Sequence, residues 1–396
     1  MYAQNPVFIP GPTNIPDIIR KAVDMPTLDH RSPLFGQILR PALAGVKNVL
    51  KTETAEIFVF PSTGTGGWEA AVSNTLSPGD SILAARHGVF SDRWISLCQR
   101  HGLTVEVVDA PWDGGVPADR YEEILTADKA HRIKAVIVTH NETSTGVRSD
   151  LAAVRGALDA AHHPALLFVD AVSSVASMDF RMDEWGVDIA VTGSQKGFML
   201  PAGLAILAFS PKAMAATATA TLPRAFFDVR DMAKSYAIGG YPYTPAVGLL
   251  NGLKVSTELL LSEGLESVFA RHHRIASGIR AAVKAWGLKL CARSADLYSH
   301  TVSAIRTPDG FNATDIVTHA ARKYDVAFGT GLGQLAGKVF RIGHLGSLTD
   351  VMALSGIAAA EMAMADLGLA IKLGSGVGAA QEYYRGAHSS ALQAAA

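Results

Sequence analysis

The sequence predicts an α/β protein: a large domain with a mostly parallel sheet sandwiched by helices, then a smaller C-terminal α+β domain. Three observations predict it. Apolar, strand-like runs alternate with helical stretches through the first two-thirds of the chain, the pattern of a helix-covered parallel sheet. Several of those runs are apolar almost throughout, as strands buried on both faces must be. Past about residue 245 the alternation gives way to long helical periodicity with a few short strands.

Each element follows from its local pattern. Strands are expected at Glu56–Phe60, Ser81–Ala84, Thr104–Val108, Ala135–Thr139, Ala165–Asp170, Ile189–Thr192 and Leu204–Phe209, with helices such as Gly67–Asn74, Asp92–His101 and Leu151–His162 between them. Apolar residues from Leu261 to Trp286 recur at three- and four-residue spacing and predict one long helix over Glu258–Trp286. Short strands at Thr301–Arg306 and Val339–Ile342 flank a helix at Ala313–Tyr324. Val351–Ile371 reads as an amphipathic helix with Thr349 or Asp350 as N-cap. The expected division is an N-terminal arm (1–20), a large domain (21–255), a small domain (256–375) and a Gly/Ala/Ser-rich mobile tail (376–396).

Composition narrows the function. The 396 residues are 48% hydrophobic and 18% charged, enough to bury sizeable cores without staples. With 35 basic and 36 acidic residues the net charge is −1, which argues against binding nucleic acid by charge alone. Two cysteines, Cys98 and Cys291, rule out a disulfide framework and favour a reducing compartment. The opening MYAQNPVFIPGPTNIP lacks the features of a signal peptide, and no apolar run reaches the ~20 residues a membrane helix needs. A soluble, cytoplasmic protein is expected.

Three segments could carry chemistry. After Phe60, Pro61-Ser62-Thr63-Gly64-Thr65-Gly66-Gly67 leads from a strand into a helix. N–H groups at that helix start, with the Thr63 and Thr65 hydroxyls, suit a phosphate. The spacing is neither a P-loop nor a dinucleotide fingerprint, and a plain tight turn would look similar. Asp170 ends a buried strand, where open α/β sheets place ligands; on its own it could equally be a loop or capping Asp. Lys196, in Gly193-Ser194-Gln195-Lys196, follows another strand end. A partly buried lysine there can form an imine with a carbonyl, whereas a lone loop lysine is ordinarily solvated. Together, a phosphate cradle, an anion for a pyridinium nitrogen and an amine for an aldehyde are what pyridoxal 5′-phosphate requires.

The chain resembles the class V aminotransferases of fold type I over nearly its whole length, nearest the bacterial serine–glyoxylate and alanine–glyoxylate enzymes. The resemblance rests on Pro10-Gly11-Pro12-Thr13, His30-Arg31-Ser32-Pro33, the Ser62–Ala70 loop, the run from Thr139 through Asn141-Glu142-Thr143 to Gly146, Val169-Asp170, Gly193–Lys196 and Lys338–Gly343. It implies that Lys196 is the lysine bound to pyridoxal phosphate and the proton carrier. It implies that Asp170 pairs with the pyridine nitrogen, that Thr63, Gly64, Thr65 and Gln195 hold the phosphate, that Phe90 stacks on the ring and that Thr143 lies near the ring hydroxyl. Arg341 is then the arginine that grips the substrate carboxylate through a bidentate fork. Tyr241 and Thr244 match residues that reach the phosphate of a neighbouring subunit, which implies a homodimer.

The expected reaction is transamination, with serine as first donor and glyoxylate as acceptor, giving hydroxypyruvate and glycine. Aspartate, giving oxaloacetate, is the alternative and would need a further cation, for which Arg31 and Arg86 are candidates; alanine is a third donor. A pyridoxal-phosphate lyase or desulfurase ranks below these, because neither cysteine sits in a suitable loop. Gly331-Leu332-Gly333-Gln334-Leu335-Ala336 leads into a strand and is discounted as a nucleotide motif, and no metal-binding pattern is found, so no metal is expected.

Overall fold

The computed structural model describes the backbone of residues 5–395 and the side chains of residues 5–387. A seven-stranded sheet is built from β1 (Glu56–Ser62), β2 (Ser81–Arg86), β3 (Thr104–Asp109), β4 (Ile133–Thr139), β7 (Leu166–Asp170), β8 (Ile189–Gly193) and β9 (Gly203–Phe209). A two-stranded hairpin, β5 (Asn141–Glu142) and β6 (Val147–Arg148), interrupts the chain order. The strand order is β1-β9-β8-β7-β4-β2-β3. All neighbours pair in parallel except β9, which runs antiparallel to both β1 and β8. The carboxyl ends of the other six strands therefore share one edge. β7 and β8 are buried at every position, and apolar cores cover both faces of the sheet, which explains why these strands lack polar alternation.

Helices α1 (Asp17–Val23) and α2 (Gly36–Val49) precede the sheet; α3 (Gly64–Thr75), α4 (Val89–Arg100), α5 (Ala118–Ala127) and α6 (Leu151–Ala160) connect its strands. After β9 come α7 (Pro211–Ala216), α8 (Val229–Ala237), α9 (Val247–Glu263) and α10 (Leu265–Ala285). A second sheet of order β10-β11-β13-β12 follows, from β10 (Lys289–Leu290), β11 (Val302–Arg306), β12 (Gly329–Thr330) and β13 (Val339–Gly343). It packs with α11 (Ala313–Tyr324), α12 (Asp350–Asp366) and α13 (Ser375–Ala395) around a third core that includes Ile305, Phe340 and Ile357.

Two expectations are corrected. The single helix expected over Glu258–Trp286 is two helices. Gly264, at φ +83°, separates them, a conformation that costs a glycine little. The segment expected to be a mobile tail (376–396) is helical over its described residues, as α13; residue 396 lies outside them. Its Tyr384 is buried and donates to the Ile275 carbonyl at 3.1 Å on α10. Gly278 makes room for that ring, since a Cβ there would lie 2.2 Å from it. At α12, Thr349 is the N-cap and accepts from the Met352 N–H. No helix among the described residues is long and apolar enough to cross a membrane.

Candidate active site

The shared carboxyl edge of the sheet gathers the predicted chemistry. β1 ends at Ser62 and α3 begins at Gly64, with Thr63 as an N-cap whose side chain bonds no helix N–H. The first turn of α3 thus presents N–H groups without a side-chain cap. Glycine is required there by close packing: a Cβ on Gly64 would meet Val172 at 2.6 Å, and one on Gly67 would meet Val191 at 2.6 Å. Thr63 and Thr65 are exposed beside the turn. Gln195 approaches from the end of β8, its Oε1 buried and without a hydrogen-bond partner. The Gln195 amide beside a helix start that no side chain caps offers hydrogen-bonding groups to a polar ligand.

Asp170 closes β7, buried and accepting one hydrogen bond at 2.9 Å, from the Val172 N–H. Burial pushes its carboxyl up to about 7, and the nearby Glu142 pushes the same way against the pull of Val172 and Lys196. A carboxylate this short of partners is suited to a cationic ring nitrogen. Lys196 is also buried. Burial, reinforced by Arg341, brings its amine down to about 8, and Asp170 opposes the fall. Its Nζ donates to the Pro10 carbonyl. The arm is pinned on that loop: Thr13 N–H donates to the Gln195 carbonyl at 3.2 Å and Thr13 Oγ1 to the Lys196 carbonyl at 3.1 Å. Gly11, at φ +114°, leaves room for the lysine, because a Cβ there would sit 2.7 Å from Nζ.

Arg341 reaches this edge from β13. Its Nε donates to the Thr330 carbonyl at 2.8 Å and its Nη1 to the Thr143 carbonyl at 2.9 Å. Burial draws it down to about 10, with Glu142 opposing, and it makes no ion pair within 4.0 Å among the described residues. A buried guanidinium held only by carbonyls is ready for a carboxylate. Thr143 Oγ1 pairs with Ser173 Oγ at 2.7 Å. Phe90 lies in the first turn of α4 and is partly buried, with the Arg93 guanidinium 5.3 Å from its ring centroid.

Sequence reasoning gave no role to Glu142 or to the Pro10 carbonyl. Glu142 is fully buried. Its Oε2 accepts from the Phe90 and Ser91 N–H groups at 3.1 and 3.0 Å, and its Oε1 from Ser144 N and Oγ at 3.1 and 2.7 Å. It caps α4 from another element, and Gly88 lets it in, since a Cβ there would clash at 2.2 Å. Only the Asn-Glu-Thr wording of its segment signals it.

The structure does not bring every expected residue together. Tyr241 donates its hydroxyl to the Val59 carbonyl of its own chain. With Thr244 and Arg31 it lines a separate groove of about 630 Å³. Arg86 is engaged by Asp92 at 2.8 Å and Asp109 at 2.7 Å, which removes it as a cation for a distal carboxylate. Cys98 is buried on α4, its thiol pushed up to about 12 by burial. Cys291 is buried too, its thiol raised by burial despite the nearby Arg306. No cluster of three metal-ligating side chains occurs among the described residues.

A buried lysine and aspartate within each other's field, with a buried arginine beside them and a glycine-rich helix start nearby, suit an enzyme of the pyridoxal-phosphate class. The chain belongs to the class V aminotransferase family, which matches residues 22–336. It is 73% identical to the L-aspartate–glyoxylate aminotransferase of Paracoccus denitrificans, covering 100% of both chains. It is 56% identical to the serine–glyoxylate aminotransferase of Hyphomicrobium methylovorum, over 96% of this chain and 94% of that one. Among solved structures, the pyridoxamine–pyruvate aminotransferase of Mesorhizobium loti superposes with a TM-score of 0.90 at 28% identity, over 97% of this chain and 99% of that one. The protein is thus a fold type I aminotransferase with pyridoxal 5′-phosphate as cofactor.

Proposed function

We propose that the protein transfers the amino group of a small L-amino acid to glyoxylate, with aspartate as the first donor and serine as the second. The observation that carries the reading is the buried Arg341, held by two carbonyls and without a carboxylate partner, beside the buried Lys196. That pair suits an α-amino acid: a fork for the carboxylate and an amine to move its α-proton. The full-length likeness to an aspartate–glyoxylate enzyme puts aspartate ahead of serine, which the sequence reading placed first. The likeness to a serine–glyoxylate enzyme keeps serine as the rival.

In this reading the uncapped turn at Thr63, Gly64 and Thr65, with Gln195, binds the cofactor phosphate. Asp170 would hold a proton on the ring nitrogen, Phe90 would cover the ring, and Thr143 would lie near the ring hydroxyl. Bound pyridoxal phosphate supplies the aldehyde that takes the amine and the ring that draws off electrons. Lys196, its amine made less basic by burial, would take the proton from the substrate α-carbon and deliver it to the cofactor carbon that bears the amine. The Pro10 carbonyl keeps Nζ oriented while it is free. The groove holding Arg31, Tyr241 and Thr244 completes the site of a second copy in a homodimer, and Arg31 is the cation left for a distal carboxylate.

A half-reaction screen tests the proposal. Holoenzyme is mixed with L-aspartate, L-serine and L-alanine in turn, and conversion to the pyridoxamine form is followed by absorbance. The fastest rate is expected with aspartate. A dominant serine rate would give the donor role to serine, and no conversion with any of the three would overturn the reading.

A further inference from the structure

We infer that a cavity of about 860 Å³ between α10, the β10–β11 strands and the loop at Asp113 is a binding site for a small multivalent anion, separate from the active site. Five cations line it: Arg280 and Lys284 one turn apart on α10, Lys289 on β10, Arg293, and Arg306 on β11. Asp113 is the one carboxylate of the lining. In a chain with 35 basic and 36 acidic residues, five cations around one carboxylate is a marked segregation of charge.

None of the five makes an ion pair within 4.0 Å among the described residues; the salt bridges lie elsewhere. Arg280 is largely buried, and its partners are neutral. Nη2 donates to Ser277 Oγ at 2.7 Å, Nη1 to the Ser299 carbonyl at 3.3 Å, and the guanidinium lies 5.6 Å from the Tyr298 ring centroid. Arg306 Nη2 donates to Cys291 Sγ at 3.4 Å, a weak acceptor. Taking a guanidinium out of water without a counter-anion is unfavourable unless a ligand brings one. Burial accordingly pulls the basicity of Arg280 down.

The cavity is too large for a single-atom ion, and its charges are spread over two secondary-structure layers. That spacing suits a ligand with two or more anionic groups, a phosphate ester or a polycarboxylate, gripped by charge-assisted hydrogen bonds. It also has a large-domain wall: the Arg293 N–H donates to the Asp113 carbonyl at 3.0 Å, and a Cβ on Gly114 would lie 3.2 Å from the Arg293 guanidinium carbon. Asp296 sits near enough to be held below the usual carboxylate range, chiefly by Ser294 and less by Arg148 and Arg293, but it does not line the cavity. No residue of the Lys196–Asp170–Arg341 cluster lines it either.

Titration calorimetry on the holoenzyme, its cofactor site already filled, tests the inference with pyrophosphate and citrate as probes at physiological ionic strength. Saturable binding of at least one is expected. Loss of two charge-assisted contacts in the pair Arg280→Gln/Arg306→Gln should weaken it about tenfold or more. The pair Lys284→Gln/Lys289→Gln removes charge from exposed positions and should weaken it severalfold without disturbing the fold. Tighter pyrophosphate assigns the site to phosphorylated ligands, and tighter citrate to polycarboxylates. Absence of saturable binding of both probes below about 10 mM, or equal binding by wild type and both variant pairs, would overturn the inference.

Discussion

Glu142 ties together groups that the reaction needs in fixed relation. It is hydrogen-bonded by the two N–H groups that start α4 beyond Val89 and by Ser144, and its field reaches Asp170 and Arg341. In Glu142→Gln one oxygen becomes an amide that donates toward groups that also donate. At least one buried N–H then loses its acceptor, which costs about 1–3 kcal/mol. The expected outcome is weaker cofactor retention, roughly tenfold, together with a lower denaturant midpoint; a fluorescence titration of the apoenzyme with pyridoxal phosphate reads the first. Unchanged affinity would reduce Glu142 to a helix cap. Arg341→Ala removes the carboxylate fork, and a buried charged pair of this kind is worth roughly 2–5 kcal/mol. kcat/KM for the amino donor should fall at least tenfold while cofactor binding holds, and an unchanged kcat/KM would take Arg341 out of the substrate site. Asp170 and Lys196 stand out in the sequence because each marks or follows the end of an apolar strand, and Arg341 because it interrupts the apolar run of β13. Glu142 and the Pro10 carbonyl do not, because tertiary contacts alone bring them to Phe90 and Lys196.

At the scale of elements, strand positions were read well wherever the apolar run was unbroken, as at Leu166–Asp170 and Ile189–Gly193. Helix ends were read less well. The start of α3 at Gly64 overrides the low helix propensity of its three glycines, because only glycine fits against Val172 and Val191. α13 escaped the sequence because its Gly/Ala/Ser composition resembles a loose tail, while its anchors lie far away in the chain. One anchor is Glu361 on α12, buried, which accepts from the Trp286 indole at 2.8 Å, from the Gly374 N–H at 2.8 Å and from the Gly376 N–H. Glu361→Ala strips three donors of their acceptor and should lower stability by about 1–3 kcal/mol or more. It should also raise hydrogen exchange selectively at the start of α13, which mass spectrometry resolves. Uniform exchange with no local change would show that α13 is held by Tyr384 and its apolar face instead.

Across the whole molecule, the seam between the two sheets is built on histidines that must stay neutral. His272 shows why: its Nδ1 bonds the Val268 carbonyl at 2.7 Å and its Nε2 faces the Gly346 N–H at 3.0 Å. These partners require a proton on Nδ1 and a lone pair on Nε2, so a second proton would break the bond to Gly346. Burial, aided by Arg271, brings His272 down to about 3. Burial likewise brings His140 to about 3, aided by Arg148, and His300 to about 3, aided by His273; His344 lies well below its ordinary value. In the unfolded chain each titrates near 6.5. Below that pH the unfolded state binds protons that the folded state refuses, so stability is full above about pH 6.5 and drains as pH falls toward 3, by up to about 1.4 kcal/mol per pH unit per site. Asp170 works in the opposite direction: raised to about 7, it takes up a proton on folding below that pH and offsets one histidine. The histidines outnumber it, so the melting temperature of the apoenzyme should begin to fall near pH 6.5, well above the range where carboxylates titrate. Scanning calorimetry from pH 8 to pH 4.5 measures this directly. A melting temperature that stays flat down to about pH 4.5 would mean that the seam takes up these protons without loss.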